Sequence, residues 1–164
     1  MNLSPQRTDT VKVIVFPLGN HLFSLPMKAV LKIHHCPPDA QTGFDEVGLI
    51  DLEDQTVLLL PLEALLKEQD MGEEDVFLTP ISQAQRPFLI LIKNPRQQLC
   101  GIQVAELPNM IDLPLHIVQP LPHSAKQTSP AQFAQYVALW QSEQGKKPIF
   151  LLDIGRVMQE INQG

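Results

Sequence analysis

Short apolar runs alternate with polar turns along most of this chain. The clearest case lies between residues 47 and 66, where apolar runs at 49–52 and 57–60 flank a polar turn at 53–55. This pattern predicts a β-hairpin whose strands are buried for much of their length. Pro61 then suits the first position of a short helix, because proline lacks the N–H that would have no partner there.

The same order of elements recurs near the C-terminus. Residues 136–152 again show strand, polar turn and strand, and the spacing of apolar residues predicts a helix over 154–162. Two earlier segments, 13–25 and 88–104, each indicate a hairpin. The sequence therefore predicts an internal duplication, in which each half holds two hairpins and a short helix, as expected for two similar β subdomains.

The composition refines this division. Fifteen prolines spread along 164 residues leave little room for long helices, so the fold should be mainly β. We predict a disordered leader over 1–10 and a single domain over 11–164. Its halves span about 11–66 and 87–158, and the acidic segment 67–86 is predicted to be a solvated connector between them.

The charge balance narrows the possible partners. A net charge of −6, with no basic cluster larger than Lys146–Lys147, argues against nucleic-acid binding. The N-terminus does not resemble a signal peptide, and no apolar run approaches the roughly 18 residues of a membrane span, so we expect a cytoplasmic protein. Cys36 and Cys100 should then be reduced thiols in apolar surroundings.

Few residues in the sequence are candidates for metal binding or catalysis. His34, His35 and Cys36 form the most metal-like cluster, but adjacent strand residues point to opposite faces, and no second ligand pair has a recognisable spacing. None of the common catalytic or phosphate-binding motifs occurs, so we predict no enzymatic activity and no cofactor. One alternative stays open, a small-molecule or metal sensor with a β-barrel pocket around His34 and Cys36.

A groove between two β subdomains is the remaining candidate site. Apolar residues such as Val30, Leu107 and Met110 could line it and receive the apolar face of a partner helix. The same three residues could instead belong to an ordinary core. Their pattern alone favours the core interpretation for each of them.

Five segments in register resemble the CheW family, the adaptor proteins of bacterial chemosensory arrays. The resemblance runs from about Val11 to Met158. Its segments are 15–25, similar to the family's opening "v-F-x-L-G-x-x-x-y-G-i"; Val30 and Ile33, similar to "V-x-x-I"; 48–57, similar to "G-v-i-N-L-R-G-x-i-v"; 100–107, similar to "v-G-l-x-V-D-x-V"; and 151–154, similar to "L-L-D-l".

The resemblance implies two pseudo-symmetric small β-barrel subdomains packed side by side, with short helices and a C-terminal helix. It also implies a non-enzymatic scaffold that binds the regulatory domain of a CheA-like histidine kinase and the cytoplasmic tip of a methyl-accepting chemoreceptor. The output could be chemotaxis, phototaxis or type IV pilus twitching. By motif match, the residues expected at partner contacts are Val30, Gly48, Glu53, Leu107 and Met110, although Gly48 and Gly101 could be structural glycines.

This chain departs from the family pattern at three places. Glu53-Asp54 stands where the pattern has Arg-Gly, which reverses the charge at a partner-facing turn. Pro61 and Ala105 each stand where the pattern has Asp. The sequence therefore indicates a divergent member, in which the reversed charge at the turn could either retune or abolish receptor binding.

Overall fold

The computed structural model describes residues 9–37, 48–60, 62, 86–122 and 131–163. Residues 1–8 of the predicted leader and 67–85 of the predicted connector lie outside this set. The helix α1 spans Ile154–Gln163. The strands are β1 (Thr10–Leu18), β2 (His21–Pro26), β3 (Val30–His35), β4 (Gly48–Leu52), β5 (Gln55–Leu60), β6 (Phe88–Lys93), β7 (Leu99–Val104), β8 (Asn109–Pro114), β9 (Val118–Pro120), β10 (Ala134–Ser142) and β11 (Gly145–Leu152).

The strands form two sheets with the same internal plan. The first, six-stranded sheet has the order β8-β1-β2-β11-β10-β9, and the second, five-stranded sheet has the order β3-β6-β7-β5-β4. In each sheet, two antiparallel hairpins are joined by one parallel pair of strands. This pair is β2 with β11 in the first sheet and β5 with β7 in the second. The prediction of a mainly β, pseudo-symmetric fold with a C-terminal helix is confirmed.

Neither sheet is built from one half of the sequence alone. The first sheet combines β1 and β2 with β8–β11, and the second combines β3–β5 with β6 and β7. Each sequence half thus contributes one complete hairpin to each sheet. The halves cannot separate without breaking the parallel pairings β2–β11 and β5–β7, so the sequence repeat and the sheets divide the chain differently.

Both sheets curl so that their edges approach each other. The edge strands β8 and β9 of the first sheet are joined by only the three residues of a 3-10 turn, Leu115–Ile117. In the second sheet, side chains of the edge strand β3 bond to Glu53, in the turn that follows the other edge strand β4. This curling matches the expected pair of small barrels.

Burial on both faces explains the continuous apolar runs. In β6, Ile90 and Ile92 face a shared core between the two sheets, whereas Leu89 and Leu91 face the interior of the second sheet. Because successive strand residues point to opposite faces, such a strand needs apolar residues throughout. The shared core contains residues of both sheets and of α1, among them Phe16, Phe23, Ile90, Ile92, Ile102 and Val157.

The C-terminal helix closes one side of this shared core. Val157 is fully buried, and Ile154, Met158 and Ile161 pack against the same cluster, as the predicted spacing requires. Asp153 precedes the helix, and its Oδ1 accepts a hydrogen bond from the Arg156 backbone N–H at 3.3 Å, which is an N-cap interaction. No helix in the described part of the chain is long and apolar enough to cross a membrane.

The proline-rich region after β8 contributes a short strand. Gln119 and Pro120 belong to β9 and pair with β10. Proline has no backbone N–H, and Pro120 is tolerated because β9 is an edge strand. On an edge strand every second backbone N–H faces away from the neighbouring strand and has no partner in the sheet. A 3-10 turn at Ala131–Phe133 leads into β10.

Candidate partner-binding site

Val30 and Met110 occupy equivalent places in the two sheets. Val30 lies at the start of the edge strand β3 and pairs with Ile92, and Met110 lies on the edge strand β8 and pairs with Ile14. Directly opposed residues of antiparallel strands point to the same face. Because Ile92 and Ile14 both belong to the shared core, Val30 and Met110 face the side on which the two sheets meet.

Their exposure differs. Val30 is half-buried and packs against the shared core. Met110 is 58% exposed, and Leu107, in the bend before β8, is 59% exposed. Both interpretations of these residues are therefore partly correct, since Val30 contributes to the core while Met110 and Leu107 offer apolar surface at its edge.

Two of the other exposed leucines lie on the edge strands of the second sheet, and the sequence analysis did not single them out. Leu31, at the bulge in β3, is 54% exposed, and Leu49 on β4 is 65% exposed. The alternation of residues along a strand shows which side chains share a face. It does not show which face stays uncovered once the sheets pack, so the sequence carried no signal for these two.

Gly48 and Glu53 lie at opposite ends of one strand. Gly48 opens β4 and pairs with Leu59, whereas Glu53 follows the last residue of that strand. Five residues of extended chain span about 16 Å, so the structure does not bring Gly48 and Glu53 together. Glu53 instead lies beside β3, the strand that carries Val30.

Glu53 forms a polar cluster with two side chains of β3. Its Oε1 lies 3.1 Å from Nε2 of His34, and its Oε2 lies 3.6 Å from Nζ of Lys32. All three side chains reach solvent, with Glu53 64% exposed. Because β3 and β4 are the two edges of the second sheet, this cluster, which we name the seam cluster, joins the edges of the curled sheet.

The bonds of His34 favour its charged form. Its Nδ1 donates to the His35 carbonyl oxygen at 2.8 Å, and a carboxylate can only accept, so the Nε2 facing Glu53 must also carry a proton. The pKa of His34 is accordingly raised above its ordinary 6.5, first by the His35 carbonyl and then by Glu53. The pKa of Glu53 is lowered by the His34 hydrogen bond and by the charge of Lys32.

The turn that holds Glu53 has an unusual backbone. Glu53 and Asp54 have φ values of 50° and 67°, in the left-handed region. They form the two-residue turn between Leu52 and Gln55, and two successive positive φ angles are typical of a type I′ hairpin turn. Residues other than glycine and asparagine are disfavoured there, so the contacts of Glu53 with β3 help to hold the turn in this conformation.

The structure does not assemble the metal site considered as an alternative. His34 bonds to Glu53, whereas the buried thiol of Cys36 accepts a hydrogen bond from Nε2 of Gln103 at 3.3 Å. Across the described residues, no group of three or more His, Cys, Asp or Glu side chains is placed to hold a metal ion. Cys36 and Cys100 are both buried and neither forms a disulfide, and burial raises the pKa of the Cys100 thiol.

Gly101 has a structural role. A Cβ atom at this position would lie 2.8 Å from Cδ1 of Leu89 and 3.1 Å from Cγ1 of Val57. Both neighbours are fully buried and have little space to move. The glycine is therefore required by close packing inside the second sheet.

Comparisons with known proteins agree with this architecture. The family model for the CheW-like domain matches residues 12–162. The chain belongs to the CheW-like family. Among solved structures, it is similar to the scaffolding protein TtCheW from Thermoanaerobacter tengcongensis, with a TM-score of 0.64, 15% identity, and coverage of 96% of this chain and 93% of that one. No curated protein matches the sequence.

Family membership assigns the broad role. CheW-like proteins are scaffolds rather than enzymes, which supports a scaffold or adaptor role in chemotaxis signalling for this chain. At 15% identity the structural likeness shows the fold alone. The residues that make contact with partners must be argued from the surface of this CheW-like chain.

Proposed function

We propose that this CheW-like protein is a non-enzymatic adaptor that couples a CheA-like histidine kinase to methyl-accepting chemoreceptors. The observation that carries the proposal is the pair of exposed apolar side chains, Met110 and Leu107, beside the face on which the two sheets meet. Large apolar side chains that stay exposed next to a core are typical of interaction sites. The array can serve chemotaxis, phototaxis or twitching, and the adaptor is cytoplasmic and recruited to it.

The receptor's cytoplasmic tip, a helical hairpin, is the proposed occupant of this face. Helices bind apolar grooves through side chains spaced by three or four residues, which need apolar contacts about one helical turn apart. Val30, Leu107 and Met110 are the proposed apolar contacts, with Val30 forming the floor because it already packs against the shared core. Gly48 is proposed as a further contact on β4.

Glu53 is the proposed contact in the turn. Its carboxylate is already paired with Lys32 and His34, so a partner would meet a cluster that also carries positive charge rather than a lone negative charge. This arrangement moderates the charge reversal noted in the sequence, because Lys32 places a cation next to Glu53. Partner choice at the turn should therefore depend on all three side chains.

A matched pair of substitutions tests the receptor contact. Met110→Glu places a charge at the proposed contact, and Leu139→Glu places one at a similarly exposed leucine, 52% accessible, on β10. We expect Met110→Glu to weaken binding of a cognate receptor's cytoplasmic fragment by about tenfold or more, as for a central contact, and Leu139→Glu to leave it unchanged. Affinity is measured by titration calorimetry.

Two controls accompany this test. Both variants should unfold at the wild-type temperature, since both side chains are exposed, and both should co-elute with the regulatory domain of the cognate kinase on a sizing column. Equal receptor affinity for wild type and Met110→Glu would refute the contact. Failure of the wild type to bind either partner would refute the adaptor function.

A further inference from the structure

A cleft at one end of the first sheet lies apart from the proposed receptor contact. It has a volume of about 350 Å³ and opens between the β1–β2 turn and the beginning of β11. Val15 is the last residue of β1 that pairs with β8, the strand of the proposed receptor contact. Gly19, which lines the cleft, is four residues further on, about 13 Å along an extended strand. The residues that line the cleft are Pro17, Gly19, Asn20, His21, Leu22, Lys147 and Pro148.

The charge of the cleft opposes that of the whole chain. The protein carries a net charge of −6, yet Lys147 lines the cleft and none of the described lining residues is acidic. Nζ of Lys147 donates to Oε1 of Gln144 at 2.8 Å. An ammonium group has three N–H donors, so this bond positions the side chain and uses only one of them.

The walls of the cleft are held in place by the fold. Leu18 pairs with His21 across a two-residue turn, and Gly19 has a φ of 62°, which suits the first position of a tight hairpin turn. The ring of His21 meets Phe150 edge-on, with 6.2 Å between ring centroids. Since Phe150 packs against the shared core, this wall is preformed.

The lining combines apolar surface with a single cation. Pro17, Leu22 and Pro148 supply the apolar part, and Lys147 and Asn20 supply donors. A compact ammonium group pairs well with a carboxylate, and protein sites commonly place a few polar groups in an apolar lining. We propose that this cleft binds an aspartate or glutamate side chain, flanked by an apolar residue, from a partner protein.

This proposal is independent of the receptor and kinase assignments. None of the five residues proposed for partner contact lines the cleft. Its test uses the full-length protein and short peptides, without receptor or kinase. A negative result for one proposal therefore leaves the other intact.

The experiment is an NMR titration of the ¹⁵N-labelled protein with a blocked hexapeptide, Leu-Glu-Leu-Glu-Leu-Glu. Saturable shifts are expected for the amides of Gly19, Asn20, His21 and Lys147, and they should weaken in 0.5 M NaCl because the pair is exposed to solvent. The equivalent peptide with glutamine in place of glutamate, and sodium acetate at equal carboxylate concentration, should bind at least about tenfold more weakly.

Two lysine substitutions give a matched control. Lys146 and Lys147 are neighbours on β11 and point to opposite faces, and only Lys147 lines the cleft. Lys147→Met and Lys146→Met change the net charge equally, yet only Lys147→Met should weaken binding, by about tenfold. Equal losses in both variants, equal binding of the glutamine peptide or of acetate, or no shifts at the cleft would each overturn the proposal.

Discussion

Asn94 anchors the turn between β6 and β7, and its removal should destabilise the fold. This side chain is 2% exposed. Its Oδ1 accepts hydrogen bonds from the backbone N–H groups of Arg96 and Gln98, each at 2.9 Å, and its Nδ2 donates to Oε1 of Gln98 at 3.1 Å. Since β6 and β7 are central strands of the second sheet, the turn positions two of its most buried elements.

The cost of Asn94→Ala follows from these bonds. The substitution leaves two backbone donors without their acceptor, and each lost hydrogen bond is worth about 1 kcal/mol, so the free energy of unfolding should fall by about 2 kcal/mol. Gln98→Ala keeps the two bonds that Oδ1 of Asn94 accepts from backbone N–H groups and loses only the bond donated by Nδ2, so its cost should be smaller. The ordering of the two variants identifies acceptance by Oδ1 as the main contribution.

Urea unfolding followed by circular dichroism measures both costs. With a denaturant slope of about 2 kcal/mol/M, Asn94→Ala should lower the midpoint by about 1 M, and Gln98→Ala by less. Both slopes should match the wild type, since the exposed surface does not change. A midpoint for Asn94→Ala equal to that of the wild type, or a larger loss for Gln98→Ala than for Asn94→Ala, would refute the assignment.

Two further predictions concern single side chains. The hydroxyl of Ser24 is buried with no hydrogen-bond partner in the described part of the chain, so Ser24→Ala should raise the free energy of unfolding by about 1 kcal/mol, and a fall on urea unfolding would contradict this. Because folding raises the pKa of His34, its contribution to stability is fully present below the ordinary pKa of 6.5 and is lost as the pH rises through the folded pKa. Folding lowers the pKa of Glu53, so its contribution to stability is present above the ordinary pKa of 4.5 and is lost as the pH falls through the folded pKa. NMR titration should therefore give Glu53→Gln a lower His34 pKa than wild type, and an equal value would exclude the seam contact.

The candidate site could be predicted only in part. Motif resemblance selected Met110 and Leu107, and both are exposed apolar residues in the structure. It also selected Glu53, but the contacts of Glu53 with Lys32 and His34 join residues about twenty positions apart. Sequence spacing carries no information on such a contact, because it exists only once the edges of a curled sheet meet.

The sequence by itself determined the local elements and their repetition. Apolar runs such as that of β6 required burial on both faces, and two-residue polar turns required hairpins. The same patterns predicted the duplicated hairpins and the terminal helix, because these depend on residues close together in the chain.

Only the tertiary structure decided how the repeated parts combine. The two halves exchange hairpins, since β2 pairs with β11 and β5 with β7, and backbone hydrogen bonds of this kind are available to any strand. What selects them is the fit of side chains in the shared core, where Phe23 and Ile102 pack in one cluster. That fit depends on three-dimensional shape, and residue order along the chain does not specify it.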